Sequence, residues 1–299
     1  MLDILPSVTA RKGHAARKRL QSALQAYYGK LGDKDAAGIT KCRANCLRKF
    51  GVPDNRVGIF ELALLHVSTA NTIPTLFWFV AYIITRPDIV ERLREEASGV
   101  LEHGTDGEVT VDVNNLAEKC TLLVSCYREA IRLNNKATGN RRVMADTTIS
   151  DGKGNSYLLK EGINVQMPAE PLHLLEDVWG PDAAEFSADR FLDQAKGLNN
   201  DKVKAKRSSY IPFGGGRHLC PGRNFALAEN LGFMVEFLLS FDVVPLDGNW
   251  ETFKEPERAH IALVQAVCQP KKHGEGFGAR IRRREGWENT KWKWTSGGH

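Results

Sequence analysis

Between Leu62 and Thr85 the chain carries no aspartate, glutamate, lysine or arginine. A charge-free run of that length could cross a bilayer. Its centre argues otherwise. His66, Ser68, Thr69, Asn71, Thr72 and Thr75 cluster there, and Pro74 interrupts any regular helix through them. A segment apolar on all sides but polar at its middle fits the central helix of a large, α-rich domain better than a membrane span. Composition agrees. With 299 residues, 42% hydrophobic and 26% charged, the chain has material for a sizeable core and too much charge for a polytopic membrane protein.

Charge is unevenly placed. Residues 1–50 hold eleven basic and three acidic residues, residues 271–299 hold eight and three, and the stretch between them is net acidic. A uniformly basic nucleic-acid binder would not look like that, so no nucleic-acid partner is expected. Six cysteines at irregular spacing make no metal framework, and a reducing compartment is the simpler reading. The opening residues contain no long apolar run, so no signal peptide is read.

The periodicity predicts an amphipathic helix over 13–30 with Ala16, Leu20, Ala23, Leu24 and Tyr27 on its apolar face. Pro87 opens another helix to about residue 101, and 114–133 reads as one more. Residues 141–170 switch to short antiparallel strands around a DGKGN turn. Residues 171–209 read as irregular, with Lys202, Lys204, Lys206 and Arg207 in a basic stretch, and 223–240 as helix. The Gly-rich, basic residues 271–299, with Trp287, Trp292 and Trp294, read as an unordered tail.

The sharpest local signal is FGGGRHLCPGR, Phe213 to Arg223. Three glycines let the backbone approach something flat and bulky. Cys220 stands just before a helix start, where free N–H groups and the helix dipole favour a thiolate. One thiolate in such a turn suits an axial haem ligand; zinc and iron–sulfur clusters want several cysteines nearby. A phosphate-binding loop would need a Lys-Ser or Lys-Thr pair after the glycines, which is missing.

This stretch resembles the haem-thiolate signature of the cytochrome P-450 superfamily, F-x-x-G-x-R-x-C-x-G. Phe213, Gly216, Cys220 and Gly222 match, and His218 occupies the usual arginine position. EAIR, Glu129 to Arg132, is similar to the family's helical E-x-x-R, and EFSADRF to its F-x-P-E-R-F, which makes Arg190 the third member of a buried ionic triad. RVMAD resembles the strand whose arginine, here Arg142, meets a haem propionate, with His218 as the second partner. Aligning the central run on Trp78 puts Ala70 at the family's acid position and Asn71 at its threonine position, with Thr72 one residue on. An asparagine there resembles the branch that contains prostacyclin synthase and the bile-acid-type sterol hydroxylases.

The resemblance implies a mainly α fold with small β-sheets, a cytochrome P-450 fold truncated at its N-terminus. Residues 1–270 would be the C-terminal portion of one haem-thiolate domain and 271–299 the tail. It implies haem b (iron protoporphyrin IX) held by Cys220 and contacted by Phe213, Gly216, Gly222, His218 and Arg142, with Asn71 and Thr72 on the distal side. The implied activity is a monooxygenase that inserts one oxygen atom from O2 into a lipophilic, sterol-like substrate. Electrons would come from an NADPH-cytochrome reductase, at the cytosolic face of the endoplasmic reticulum, with no anchor in this chain. Two alternatives stand beside it: a haem-thiolate isomerase or dehydratase that uses a peroxide and no reductase, and a truncated non-catalytic remnant.

Overall fold

The computed structural model describes residues 6–192, 201–246, 248–251, 254–259, 265–271 and 278–296. The chain divides into two compact units, 1–71 and 72–299, whereas the sequence suggested a single boundary near 270.

In the first unit, α1 (Pro6–Thr9) leads into α2 (Arg11–Gly29), α3 (Gly38–Lys49) and α4 (Asp54–Ala70). Helix α2 carries the expected amphipathic segment, but with a different inner face. Tyr28 is buried with Ala44 and Val57, and Leu24, Leu47 and Val52 pack around them. Leu20 and Tyr27 are exposed. Arg48 bridges Asp33 at 2.7 Å and Asp54 at 2.6 Å, which fixes the loops at both ends of α3. A Cβ built on Gly58 of α4 would collide with the carbonyl carbon of Leu24 and lie 2.6 Å from the amide nitrogen of Gln25. Only glycine fits between these two backbones. Gly58→Ala is expected to destabilise this unit by about 1–3 kcal/mol through overpacking. Faster limited proteolysis within residues 6–70 of the full chain, with the rest unaffected, is the check.

The apolar run is helical but interrupted. Helix α4 ends at Ala70 and α5 (Thr72–Ile84) starts at Thr72, with Asn71 between them. Proline accounts for the break: Pro74 has no N–H, and its ring excludes the carbonyl four residues earlier, that of Ala70. From Asp54 to Ile84 the run is long and apolar enough to cross a membrane by length and composition. In the second unit, however, α5 buries Trp78, Phe79, Ala81, Tyr82, Ile83 and Ile84 in the core.

Packed with α5 are α6 (Pro87–Ser98), α8 (Thr121–Asn134) and α12 (Arg223–Ser240). Their shared core includes Trp78, Phe79, Leu93, Leu123, Leu231, Met234 and Leu239, all at 1% exposure or less. Helix α8 is buried on nearly every side and is preceded by a short α7 (Val113–Lys119). The predicted single helix over 114–133 is thus two, broken at Cys120. The break is stabilised from a distance: the Glu96 carboxylate of α6 accepts the amides of Leu122 and Leu123 at 2.8 and 2.9 Å and so caps α8.

The described strands form four small sheets. Strands β1 (Glu102–His103) and β2 (Glu108–Asp112) pair antiparallel. Strand β3 (Thr138–Arg142) pairs antiparallel with β6 (Asn164–Pro168), Arg142 opposite Asn164. Strands β4 (Thr147–Ser150) and β5 (Ser156–Leu159) make the expected hairpin on the DGKGN turn. Residues 171–209, expected irregular, contain α9 (Ala169–His173), α10 (Glu176–Trp179) and α11 (Asp201–Ser209) among the described residues. Strand β7 (Phe241–Pro245) follows α12.

The tail departs most from its composition. Its described part, 278–296, supplies β8 (Ala279–Arg283), antiparallel to β7, and β9 (Lys291–Thr295), parallel to β2. The reading of an unordered tail is therefore corrected for these residues. Trp287 and Trp292 pack on the main core. That burial outweighs the local charge and glycine content that suggested disorder.

Candidate functional site

The Cys220 loop is built from its backbone. Gly214 and Gly216 have φ of +75° and +61°, conformations that favour glycine. A short turn over Gly216–His218 follows. The Cys220 amide then returns to the Phe213 carbonyl at 3.0 Å. Gly222 caps α12, and Arg223 Nη1 donates to the Cys220 carbonyl at 3.1 Å. Phe213 packs against the core. Arg217, His218 and Leu219 are exposed, and Cys220 is half-buried.

Beneath this loop lies the ionic triad that the motifs pointed to. Glu129 and Arg132 are i, i+3 on α8 and fully buried. The Glu129 carboxylate accepts Arg132 Nε at 2.7 Å, Arg132 Nη2 at 2.8 Å and Arg190 Nε at 2.7 Å. The remaining guanidinium donors satisfy carbonyls. Arg132 Nη1 reaches those of His173 and Ala183, and Arg190 reaches those of Trp179, Asp182 and Glu185. Arg190 also holds Asp182 at 2.9 Å and keeps its carboxyl below the usual range. Ser125 adds a second tie: its hydroxyl donates to the Ala188 carbonyl and accepts the Phe191 amide.

His173 joins the triad to the loop. The Ile211 amide donates to His173 Nε2 at 3.1 Å, so the ring proton sits on Nδ1 and donates to the Arg132 carbonyl at 3.1 Å. Asn135 Nδ2 holds the Pro212 carbonyl at 3.1 Å, and the Tyr210 hydroxyl donates to the Arg128 carbonyl at 3.2 Å. The segment leading into FGGGRHLC is thus pinned at three consecutive residues, Tyr210 to α8, Ile211 to His173 and Pro212 to Asn135 just after α8. From the other side, Arg141 Nη2 donates to the Gly215 carbonyl at 3.0 Å. Arg142, the sequence candidate, is exposed at the end of β3; successive strand residues alternate faces, and Arg141 is the one that meets the glycines. No local sequence signal separates these two arginines. His173 and Ser125 were likewise missed, because nothing in their own neighbourhoods announces a long-range partner.

Burial outweighs the hydrogen bond to the Arg132 carbonyl, which favours the charged ring, and with the Arg132 guanidinium lowers the His173 imidazole to about 4. The unfolded chain would therefore bind a proton below about 6.5 that the folded chain refuses until about 4. Stability is expected to be complete above pH 6.5 and to fall as pH drops from 6.5 to 4, by on the order of 3 kcal/mol. His173→Gln retains a donor and an acceptor and should flatten that part of the profile. Urea titrations of both proteins at pH 7 and pH 4.5 provide the comparison.

The other predicted residues fall as follows. Asn71 is half-buried at the end of α4 in the first unit, and Thr72 opens α5 in the second. Lys202, Lys204, Lys206 and Arg207 lie on α11, where Lys206 Nζ donates to the Arg190 carbonyl at 3.2 Å.

The donor set suits a single soft axial ligand. Cys120, Cys126 and Cys268 are buried, and burial pushes their thiols up, Cys120 to about 12. Cys42 and Cys46 are exposed on α3 of the other unit. Cys220 alone combines partial exposure with a helix start. Among the described residues no group of three His, Cys, Asp or Glu side chains could hold a metal ion between them. A Cβ at Gly215 or Gly216 would meet nothing within 4 Å, so open space lies before the loop. These residues fit an iron porphyrin approached by one sulfur.

Three comparisons bear on this arrangement. The sequence profile of the family described as Cytochrome P450 matches residues 59–272. A cytochrome P450 monooxygenase of Gibberella zeae is 46% identical over 296 residues, covering 98% of this chain and 56% of that protein. Its match therefore runs through the tail. A human 7-alpha-hydroxycholest-4-en-3-one 12-alpha-hydroxylase is 29% identical over 77% of this chain and 47% of its own length. The chain thus spans about half the length of these curated relatives. A crystal structure of a cytochrome P450 superposes with a TM-score of 0.68 at 22% identity, over 94% of this chain and 60% of the other. That likeness establishes the fold.

Proposed function

The chain belongs to the cytochrome P450 family, and from that premise we propose that the protein is a haem-thiolate monooxygenase with Cys220 as axial ligand to the iron of haem b. The observation that carries this reading is the Cys220 loop itself: one half-buried cysteine after three glycines, at the start of α12, tied through His173 to a buried ionic triad. Bound haem would supply the oxidative chemistry. The chain's own residues hold and shape its site. Gly216 and Gly222 allow close approach of the loop, and Phe213 anchors it to the core. His218 in the loop and Arg142 at the end of β3, both exposed, are the residues that would meet the propionates. By resemblance to the family, Asn71 and Thr72 are the candidate catalytic residues.

The substrate class is a lipophilic molecule, sterol-like by similarity to the human hydroxylase named above. An NADPH-cytochrome reductase would donate electrons, with Arg223, Lys202, Lys204, Lys206 and Arg207 as the candidates to meet its acidic face. Residues 1–270 are assigned to the C-terminal portion of one haem-thiolate domain, at the cytosolic face of the endoplasmic reticulum. A second reading rests on Asn71 in place of a hydroxyl: an isomerase or dehydratase that acts on a peroxide without reductase.

The test is a spectrum. The protein expressed from its full coding sequence, reduced under carbon monoxide, should give the strongly red-shifted band of a thiolate-ligated haem. Product formation that requires NADPH, reductase and O2 supports the monooxygenase. Product from a hydroperoxide without reductase supports the isomerase. A haem that binds without the red shift overturns Cys220 as ligand.

A further inference from the structure

Helix α12 begins just after the Cys220 loop, and its buried side chains lie in its second half. Along its first turns Asn224 and Phe225 are exposed, and the first buried side chain is Asn230. Every buried residue of the helix lies between Asn230 and Ser240. Leu227 and the loop contacts hold the near end, and where the helix start sits also depends on what grips the second half.

Much of that grip comes from the tail. The Trp294 ring lies 3.4 to 3.9 Å from where a Cβ on Gly232 would stand, ordinary van der Waals range, so the ring rests against the helix at that position. Trp292 Nε1 donates to Ser240 Oγ at 3.2 Å. The Arg284 amide donates to the Ser240 carbonyl, and its Nη1 to the Leu239 carbonyl, each at 2.9 Å. Trp287, Trp292 and Trp294 stack in sequence, with centroids 5.6 and 5.9 Å apart and planes within 15°. On the far side, β9 is locked to β2 through five parallel residue pairs, and the Lys291 amide reaches the Gly107 carbonyl at 2.8 Å. The tail thus clamps the second half of α12 to the β1–β2 sheet.

We propose that β9, through Trp294 seated on Gly232 and Trp292 bonded to Ser240, is a positioning element for Cys220: it fixes the rotation and height of α12 and so the place of the thiol at the helix start. The role of the thiol as a ligand rests on the function proposed above; the mechanical coupling does not.

The experiment uses the full protein and two readouts, one of them independent of haem. In haem-free protein, the alkylation rate of Cys220 by a small iodoacetamide reagent is followed by mass spectrometry, with Cys42 and Cys46 as internal references. In haem-loaded protein, the fraction of thiolate-type carbon monoxide spectrum is measured. Trp294→Ala is expected to raise Cys220 alkylation several-fold, leave Cys42 and Cys46 unchanged, and convert part of the red-shifted band. Trp294→Phe should restore both values. Should Trp294→Ala fail to fold, Trp292→Phe, which keeps the ring but loses the N–H donor, should give a smaller change in the same direction. Unchanged Cys220 alkylation in folded Trp294→Ala and Trp292→Phe overturns the proposal. A wild-type protein without the thiolate spectrum, but with Cys220 alkylation that responds to Trp294, overturns the haem reading and supports the clamp.

Discussion

Glu129→Ala is expected to cost the fold about 3–5 kcal/mol, the range for removing one partner of a buried ion pair. That is a large share of the roughly 5–15 kcal/mol that holds an ordinary domain. The size follows from what remains. Glu129 is wholly buried and bridges two guanidinium groups, those of Arg132 and Arg190. Without it, the buried Arg132 loses its carboxylate partner and stands beside Arg190, which keeps only the Asp182 carboxylate. Neither arginine can swing away freely, because each also satisfies backbone carbonyls. For the same reason Arg132→Lys is not conservative. Lysine keeps the charge, but its three donors cannot reproduce a fork that spans a carboxylate and two carbonyls. Urea unfolding of both variants should give midpoints well below that of the parent, with Glu129→Ala lowest or aggregated. A Glu129→Ala protein as stable as the parent would refute the role given to the triad.

Cys220→Ser should do the opposite: nearly no loss of stability and complete loss of the thiolate spectrum. The loop takes its shape from glycine dihedrals and from the bond between the Cys220 amide and the Phe213 carbonyl, none of which uses the sulfur. The side chain is half-buried, so a hydroxyl there still reaches water. Unfolding midpoints should agree with the parent to within about 1 kcal/mol. Cys268→Ser is the mirror control. Cys268 is fully buried in the core of the second unit, where an unpartnered hydroxyl costs roughly 1–3 kcal/mol, and its spectrum should match the parent. A red-shifted band that survives in Cys220→Ser would reject that sulfur as the ligand.

Both predictions concern features legible in the chain before any coordinates. The FGGGRHLCPGR loop and the pair Glu129–Arg132 are local patterns, where one short stretch holds the backbone freedom, the nucleophilic atom and the helix start together. Arg190 could be added because it stands in a recognisable motif of its own. The helix over 223–240 and the hairpin around DGKGN were equally plain, since period and turn chemistry are short-range.

What local pattern could not decide was every outcome set by a partner far along the chain. Cys120 divides a continuous helical periodicity because Glu96, more than twenty residues earlier, caps the second piece. Arg141 rather than Arg142 meets the glycines because β3 presents alternate faces and its register with β6 chooses between them. His173 reads as an ordinary residue until Ile211 and Arg132 close on its two nitrogens. Most of all, a basic, glycine-rich tail looks unordered when weighed alone, yet its described part becomes two strands once β2 and β7 offer edges to pair with and the core takes Trp287 and Trp292. Residue order along the chain specifies dihedral freedom, period and chemistry at each position. Burial and strand pairing depend on which distant surfaces meet, and that is a property of the folded whole.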